Sequence, residues 1–183
     1  MPRKVHLFES PTRFVDGTVG QPGDRTFYLQ ASDETGRTVS VALEKAQGQV
    51  LADRMNELLD EVAGRANTAI PDVAEVDDLE PLTAPIDEEF RVAAMGLAWD
   101  GSAEAVVVEA VAAGEEPIDE EAILSDSDEG PDALRVTITP VAARAFVARA
   151  RRVVAAGRPP CPLCSLPLDP AGHVCPRQNG YRR

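Results

Sequence analysis

Hydrophobic and polar residues alternate along four short segments at the start of the chain, and this pattern predicts four β-strands. The clearest is the fourth, in which Val39, Val41 and Leu43 alternate with Thr38, Ser40 and Ala42. Gly, Pro, Ser and Asp residues separate the segments and favour turns between them. The predicted strands cover residues 5–8, 13–19, 26–31 and 38–43.

After residue 43 the spacing of apolar residues changes from two to that of a helix. The periodic residues are Val50, Leu51, Met55, Leu58, Leu59 and Val62. They predict a helix over residues 44–62, closed by Gly64. A connector rich in proline and acidic residues follows at 67–87, and then two further strands, 90–99 and 105–112, joined by the turn-forming pair Asp100-Gly101.

Residues 114–132 contain nine acidic residues and no basic one. Such a segment buries too little apolar surface to offset the entropy lost on ordering, so we expect a disordered acidic loop.

The pattern of a strand followed by a helix then returns. Leu134, Val136 and Ile138 alternate, Thr139 is a good N-cap and Pro140 suits the first helical position. A shift of 95 residues places Ile138 on Leu43 and carries the apolar stripe of the first helix onto the second.

This shift predicts an α+β fold built from two degenerate repeats of antiparallel strands followed by a helix, with the helices on one side of the antiparallel sheets. Chance remains an alternative, because any strand-then-helix unit shares part of the pattern. The predicted organisation is a first repeat (1–66), the connector (67–87), a second repeat containing the acidic loop (88–157) and a C-terminal tail (158–183). This topology resembles that of some single-strand nucleic-acid binders, and a shared fold does not imply a shared function.

Charge limits the possible partners. The 183 residues include 18 Lys and Arg against 31 Asp and Glu, a net charge of -13, which disfavours binding of a polyanion over the whole surface. No apolar run approaches the length of a membrane span and the N-terminus has no apolar signal core, so we expect a soluble cytoplasmic protein without membrane contact.

The basic residues gather at the C-terminal end, where residues 135–183 hold nine arginines and a single acid, Asp169. At about 100° per residue, the last helix places arginines opposite its apolar face. The candidate partner-binding residues are Arg144, Arg149, Arg151, Arg152 and Arg158. They either bind an external partner, a protein or a single-stranded nucleic acid, or pair internally with the acidic body of residues 1–134, in particular with its acidic loop.

All three cysteines lie in the tail, together with one of the two histidines. Cys161 and Cys164 form a C-x2-C pair, and His173 and Cys175 complete a Cys3His set, which predicts a structural Zn²⁺ site. The alternatives are a disulfide, a redox C-x-x-C pair, and free thiols beside an incidental histidine. A cytosolic setting disfavours the disulfide, and prolines surround the pair where a redox motif would begin a helix.

The tail also resembles a zinc ribbon, in particular the C-terminal ribbon of a small bacterial large-subunit ribosomal protein. In that comparison the expected fourth cysteine falls on Gln178, so His173 has to serve as the fourth ligand.

Catalytic motifs are absent from the sequence: it has no phosphate-binding loop, dinucleotide fingerprint or nucleophile elbow. His6 lies in a predicted strand and is expected to be a packed or edge residue. The leading hypothesis is therefore a zinc-stabilised binding or adaptor protein that uses its last helix and tail. The alternative is an enzyme with a site between the repeats and a purely structural zinc.

Several stretches resemble an uncharacterised actinobacterial family, domain of unknown function 3090. They are Arg13-Phe-Val-Asp-Gly-Thr-Val-Gly, Thr26-Phe-Tyr-Leu-Gln-Ala, Val39-Ser-Val-Ala-Leu-Glu-Lys, Glu88-Glu-Phe-Arg-Val and Ala148-Arg-Ala-Arg-Arg-Val-Val-Ala-Ala-Gly-Arg-Pro-Pro-Cys-Pro-Leu-Cys. The resemblance covers nearly the whole chain and implies a single design that includes the ribbon, but no activity. Ser165 departs from it, because a glycine is expected there.

Overall fold

In the described part of the chain, seven strands form one β-sheet and two helices pack on one of its faces. The computed structural model describes residues 3–65, 69–114, 118, 123–125, 127, 129–168 and 172–177. The strands are β1 (Val5–Phe8), β2 (Arg13–Gln21), β3 (Asp24–Ser32), β4 (Thr38–Leu43), β5 (Glu88–Asp100), β6 (Ala105–Ala112) and β7 (Ala133–Ile138). The helices are α1 (Lys45–Arg65) and α2 (Pro140–Ala155). The mixed α+β class is confirmed.

The order of strands in the sheet is β1-β7-β6-β5-β4-β3-β2. Strands β2, β3 and β4 form one antiparallel meander, and β5, β6 and β7 form a second. The expected separate antiparallel sheets are not found, because β4 pairs in parallel with β5 and joins the two meanders into one mixed sheet. A parallel pair needs a long crossover, which α1 and the connector supply.

Both helices begin directly after a strand and are capped by nearby side chains. The backbone N–H of Glu44 donates to the Gln47 side chain before α1. The Thr139 hydroxyl accepts from the N–H of Ala142, which confirms Thr139 as the N-cap of α2, with Pro140 in the first turn. Strands β4 and β7 and the starts of the two helices are each 95 residues apart. An internal repeat as the origin of this order stays a prediction.

A single hydrophobic core lies between the sheet and the helices and runs across both meanders. Phe14 of β2 stacks on Phe146 of α2 with 4.9 Å between the ring centroids. The helices also pack against each other, and α2 reaches from the end of β7 to the edge strand β2. The largest fully buried apolar side chains include Leu29, Val41, Met55, Leu59, Val106, Val108 and Leu134.

The face of the sheet opposite the helices is covered by two segments that each bind a buried polar residue. The Gln30 side chain accepts a hydrogen bond from the N–H of Thr83 at 2.7 Å and donates to its carbonyl at 2.9 Å, which fixes the connector. In the second meander, the Glu109 carboxylate accepts from the N–H of Leu124 at 3.2 Å.

The expectation of a disordered acidic loop is wrong for residues 123–125, because they pack on the sheet. A Cβ atom added to Gly96 of β5 would clash with the Ile123 side chain. Residues 115–117, 119–122, 126 and 128 of that predicted loop lie outside the described residues.

Neither described helix combines the length and the apolar character that crossing a membrane requires.

Candidate functional site

Four side chains of the tail converge as a candidate metal centre: Cys161, Cys164, His173 and Cys175. Their ligand atoms all lie within 4.8 Å of one another. The Sγ atoms of Cys161 and Cys175 are 3.9 Å apart, and Sγ of Cys164 is 3.2 Å from Nε2 of His173. Sulfur ligands about 2.3 Å from a tetrahedral metal are about 3.8 Å apart, so the donor set fits a metal ion. The sequence-predicted set is therefore brought together.

Backbone hydrogen bonds shape the loop that carries the first two cysteines. The N–H of Ser165 donates to the carbonyl of Cys161, and the N–H of Cys161 donates to the carbonyl of Leu166, both at 2.8 Å. This tight turn holds Ser165 at a φ of +62°, in the left-handed region that favours glycine. The turn is what lets two sulfur atoms three residues apart face the same point.

The local environment favours the thiolate form of Cys161. The backbone N–H groups of Cys164 and Leu163 lower the pKa of the Cys161 thiol to about 6, whereas burial raises the pKa of Cys164. All three cysteines are free thiols rather than disulfide partners. Thiolates are the form that binds metal, so the cluster is chemically suited to a cation.

Two of the predicted partner-binding arginines are buried. The Arg144 guanidinium donates to the Pro71 carbonyl, Asn56 Oδ1 and Asp60 Oδ1 at 2.6–2.8 Å. Arg149 donates to the carbonyl of Asp16 at 2.7 Å and to the carbonyl and Oδ1 of Asp78 at 2.8 and 2.6 Å. Both arginines are about 95 % buried, so their guanidinium groups bind other parts of the same protein.

The remaining three arginines lie nearer the surface. Arg151 pairs with Asp53 at 3.1 Å and is half exposed. Arg152 pairs with Asp77 and also donates to the carbonyl of Asp78. Arg158 lies beside Gly23 in the turn between β2 and β3.

The ion-pair partners of the four arginines of α2 belong to α1 and the connector. Internal pairing with the acidic body of residues 1–134 is therefore confirmed for Arg144, Arg149, Arg151 and Arg152. Among the residues that the structure describes, the acidic loop is not their partner, so that part of the prediction is wrong. Their role toward an external molecule stays a prediction.

Asp16 is a buried carboxylate that the sequence reasoning missed. It lies on the helix-facing side of β2 with no exposed surface, and within the part of the chain that the structure describes neither carboxylate oxygen has a hydrogen-bond partner. Burial raises its pKa to about 7, an effect that Arg149 and Arg25 partly oppose. Alternation along β2, with Phe14 on the same face, could have indicated a buried position.

A second buried charge cluster, also missed, joins β6 to β7 and to the residues before β1. Glu109 is fully buried and binds Arg3 and Arg135, while both arginines also donate to the carbonyl of Ser125. The sequence signal was one acidic residue inside the apolar run of β6. His6, by contrast, is confirmed as a packed residue in the edge strand β1.

A family model described as "Protein of unknown function (DUF3090)" matches residues 6–175. The chain belongs to the DUF3090 family. No curated protein and no solved structure matches the chain. In this DUF3090 protein the matched range includes the whole Cys/His cluster, the buried Asp16 and the arginines of α2.

Proposed function

We propose that the tail of this DUF3090 protein binds one Zn²⁺ through Cys161, Cys164, His173 and Cys175. The supporting observation is the convergence of three cysteine sulfur atoms and one imidazole nitrogen within 4.8 Å. Thiolate and imidazole ligands favour zinc over magnesium or calcium. Four protein ligands leave no open coordination position, so the zinc is structural rather than catalytic.

The tail then serves as a binding surface whose shape depends on the metal. Three apolar side chains next to the cysteines are exposed: Leu163 at 49 %, Leu166 at 50 % and Val174 at 79 %. In a segment this short, a hydrophobic core is too small to fix such side chains, and metal coordination supplies the missing stability. Three exposed apolar side chains in so short a segment support a role of the tail in binding another protein.

A protein partner is favoured over a nucleic acid. Binding to phosphates requires arginines or lysines that are available to the ligand. Arg144 and Arg149 already donate to carbonyl and carboxylate oxygens inside the protein, and Arg151 and Arg152 face Asp53 and Asp77. The exposed apolar residues of the tail have no comparable internal partner among the described contacts.

The hypothesis of an enzyme depends on titratable side chains that converge on a pocket. A groove between α1 and β5 is lined by apolar side chains, with Arg54 as its charged residue. This lining does not support a catalytic site, so we propose the adaptor role instead.

Two variants separate the metal from the surface it stabilises. The double variant Cys161→Ser/Cys164→Ser removes two ligands, while Leu163→Ser/Leu166→Ser changes only exposed side chains of the same loop. We expect zinc analysis of purified protein to give one ion per chain for wild type and for the leucine variant, and none for the cysteine variant.

The second measurement identifies what co-purifies with each form from the cells that produce the protein natively. A protein present in stoichiometric amount with wild type should be lost from both variants. Full zinc retention in the cysteine variant contradicts the metal site. Nucleic acid in place of a protein, retained by the leucine variant, contradicts the proposed partner.

A further inference from the structure

Strand β5 is much longer than the neighbour with which it pairs on one side. It runs from Glu88 to Asp100, but β4 pairs with it only at Glu88 and Arg91 and ends at Leu43. On the other side, β6 pairs with β5 as far as Asp100. Beyond residue 92, no strand among the described residues therefore faces the β4 side of β5.

An irregularity marks the point where this free edge begins. The register of the β5–β6 pair shifts between Val92 and Ala94, as in a β-bulge around Ala93. Backbone N–H and C=O groups at an unpaired strand edge are ready to form a ladder with another extended chain. The edge from residue 93 onward thus offers main-chain hydrogen-bonding groups.

Helix α1 runs beside this edge and leaves a groove of about 370 Å³ between helix and strand. Its apolar lining includes Ala46, Val50, Leu51, Ala94, Met95 and Leu97. Gln47 bounds one end, where its side chain donates to the Val92 carbonyl at 3.2 Å and accepts from the N–H of Glu44 at 2.8 Å. The small side chains of Ala46 and Ala94 leave space for the side chains of a ligand.

The charge of the groove is opposite to that of the protein as a whole. Among the described residues, Arg54 is the charged residue of its lining and no carboxylate lines it, although the chain has a net charge of -13. The side chain of Arg54 is 71 % exposed and pairs with Glu57, itself 64 % exposed, at 3.0 Å. Exposed pairs of this kind are weak, so an acidic group on a ligand can replace Glu57.

We propose that the groove between α1 and the free edge of β5 binds an extended peptide segment of a partner protein by strand addition. The peptide's backbone pairs with β5 beyond residue 92, its apolar side chains enter the groove, and an acidic side chain meets Arg54. A hydrocarbon ligand matches the apolar walls but leaves the main-chain groups of β5 unpaired. This site is separate from the zinc tail and does not depend on the proposed function.

The test uses synthetic peptides as probes. Six fluorescein-labelled hexapeptides of alternating Val and Thr carry a single Glu at each position in turn, and six matched peptides carry Lys instead. Fluorescence anisotropy with the full-length protein should show saturable binding of at least one Glu peptide. It should bind roughly fivefold more tightly than its Lys counterpart, as expected for one exposed charge pair. Methylation of alternate backbone nitrogens in that peptide should abolish binding, because it removes the ladder donors.

Matched protein variants assign the binding to the groove. Arg54→Glu should reverse the preference to the Lys peptide, whereas Arg65→Glu makes the same charge change at an exposed position near the end of α1 and should leave it unchanged. Because both positions are exposed, both variants should fold, which circular dichroism verifies. Hydrogen exchange at residues 93–99 should slow when the peptide is present.

Three results overturn the proposal: absence of saturable binding, equal affinity for the methylated peptide, or an unchanged preference in the Arg54 variant. Self-association of the protein that is lost in the Arg54 variant and blocks peptide binding would assign the groove to a second copy of the chain instead. Removing zinc distinguishes this site from the tail. The affinity for the peptide should stay the same, because the groove does not include the tail.

Discussion

Arg149 and Asp78 form an ion pair that joins α2 to the connector: Nη1 of Arg149 donates to Oδ1 of Asp78 at 2.6 Å. Arg13 of β2 donates to both carboxylate oxygens of the same aspartate at 2.6 and 2.9 Å. The hydrogen bond from Arg13 lowers the pKa of Asp78. The carboxylate of Asp78 thereby binds the connector both to α2 and to the edge strand β2.

Replacing Asp78 with asparagine should destabilise the protein. The substitution leaves the buried Arg149 and the adjacent Arg13 without their shared counter-charge, although the new amide would keep some hydrogen-bonding capacity. Since Asp78 is partly exposed, we expect a loss of about 1–3 kcal/mol in the free energy of unfolding, measured by urea denaturation. Asp72→Asn, an exposed position in the same connector, should change stability by less than about 0.5 kcal/mol.

A related double variant tests whether the connector shields arginines from nucleic acid. If it does, Asp77→Asn/Asp78→Asn should bind a labelled single-stranded oligonucleotide more tightly than wild type, and added salt should reduce the gain. Equal, weak binding by both proteins at low salt removes nucleic acid as a ligand of this cluster.

Gly48 of α1 lies against the buried carboxylate of Asp16. A Cβ atom at this position would lie 2.7 Å from Oδ2 of Asp16, which is fully enclosed and has little room to move. We expect Gly48→Ala to destabilise the protein by about 1–3 kcal/mol in thermal or urea unfolding.

Gly64 provides the matched control in the same helix. A Cβ at Gly64 meets no atom of the described residues within 4 Å, so Gly64→Ala should stabilise the protein by about 0.5–1 kcal/mol through helix propensity. Stabilisation by both substitutions would contradict the close contact between Gly48 and Asp16.

Strands and helices were predictable because their signals are local. The alternation of Val39, Val41 and Leu43 defines β4, and Thr139-Pro140 marks the start of α2 in the structure as in the sequence. Pairing between strands is not local. The parallel contact of β4 with β5 depends on how the 44 residues between Leu43 and Glu88 cross over, and no periodicity within either strand specifies it.

The candidate metal centre was predictable for the same reason, since its four residues lie within 15 positions of the chain. The environment of the α2 arginines was not. Asp60 and Asp78 are 84 and 71 residues away from Arg144 and Arg149. A helical wheel places arginines opposite the apolar stripe, but it cannot show that a connector and a second helix cover them.

Glu109 is fully buried and pairs with Arg3 and Arg135, which are partly buried. Glu109→Gln removes the negative charge while keeping the shape of the side chain. We expect a loss of about 3–5 kcal/mol in stability, because the substitution removes the charge of a fully buried carboxylate that both guanidinium groups bind. Glu88→Gln, an exposed change at the start of β5, is the control. A loss below about 1 kcal/mol would show that the arginines find other anions.

Ser165 occupies a backbone conformation that favours glycine, with a φ of +62°. Ser165→Gly should relieve this strain and favour the turn that positions Cys161 and Cys164, by about 1 kcal/mol. Competition with a chromogenic chelator should show a roughly fivefold gain in zinc affinity, whereas Ser165→Val should lose affinity. The same affinity for both variants would mean that the turn does not limit metal binding.

Asp16 should make the protein less stable as the pH rises toward neutrality. Its pKa is about 7 in the folded protein against an ordinary value of 3.8, so between these values the folded state binds more protons than the unfolded state. Stability therefore decreases as the pH increases across this window, by at most about 1.4 kcal/mol per pH unit. Arg149 and Arg25 are the cations that moderate the effect.

Asp16→Asn should remove this slope, because the amide does not titrate, even if its absolute stability differs from that of wild type. Burial lowers the pKa of His6. The protein therefore gains stability from His6 as the pH rises to about 6.5, whereas it loses stability from Asp16 over the same range. The quantity to compare is thus the difference in free energy of unfolding between wild type and variant at pH 5, 6, 7 and 8. That difference should shift in favour of Asp16→Asn as the pH increases and level off above pH 7. A difference independent of pH would mean that Asp16 stays in one ionisation state, held by Arg149 or by water inside the core.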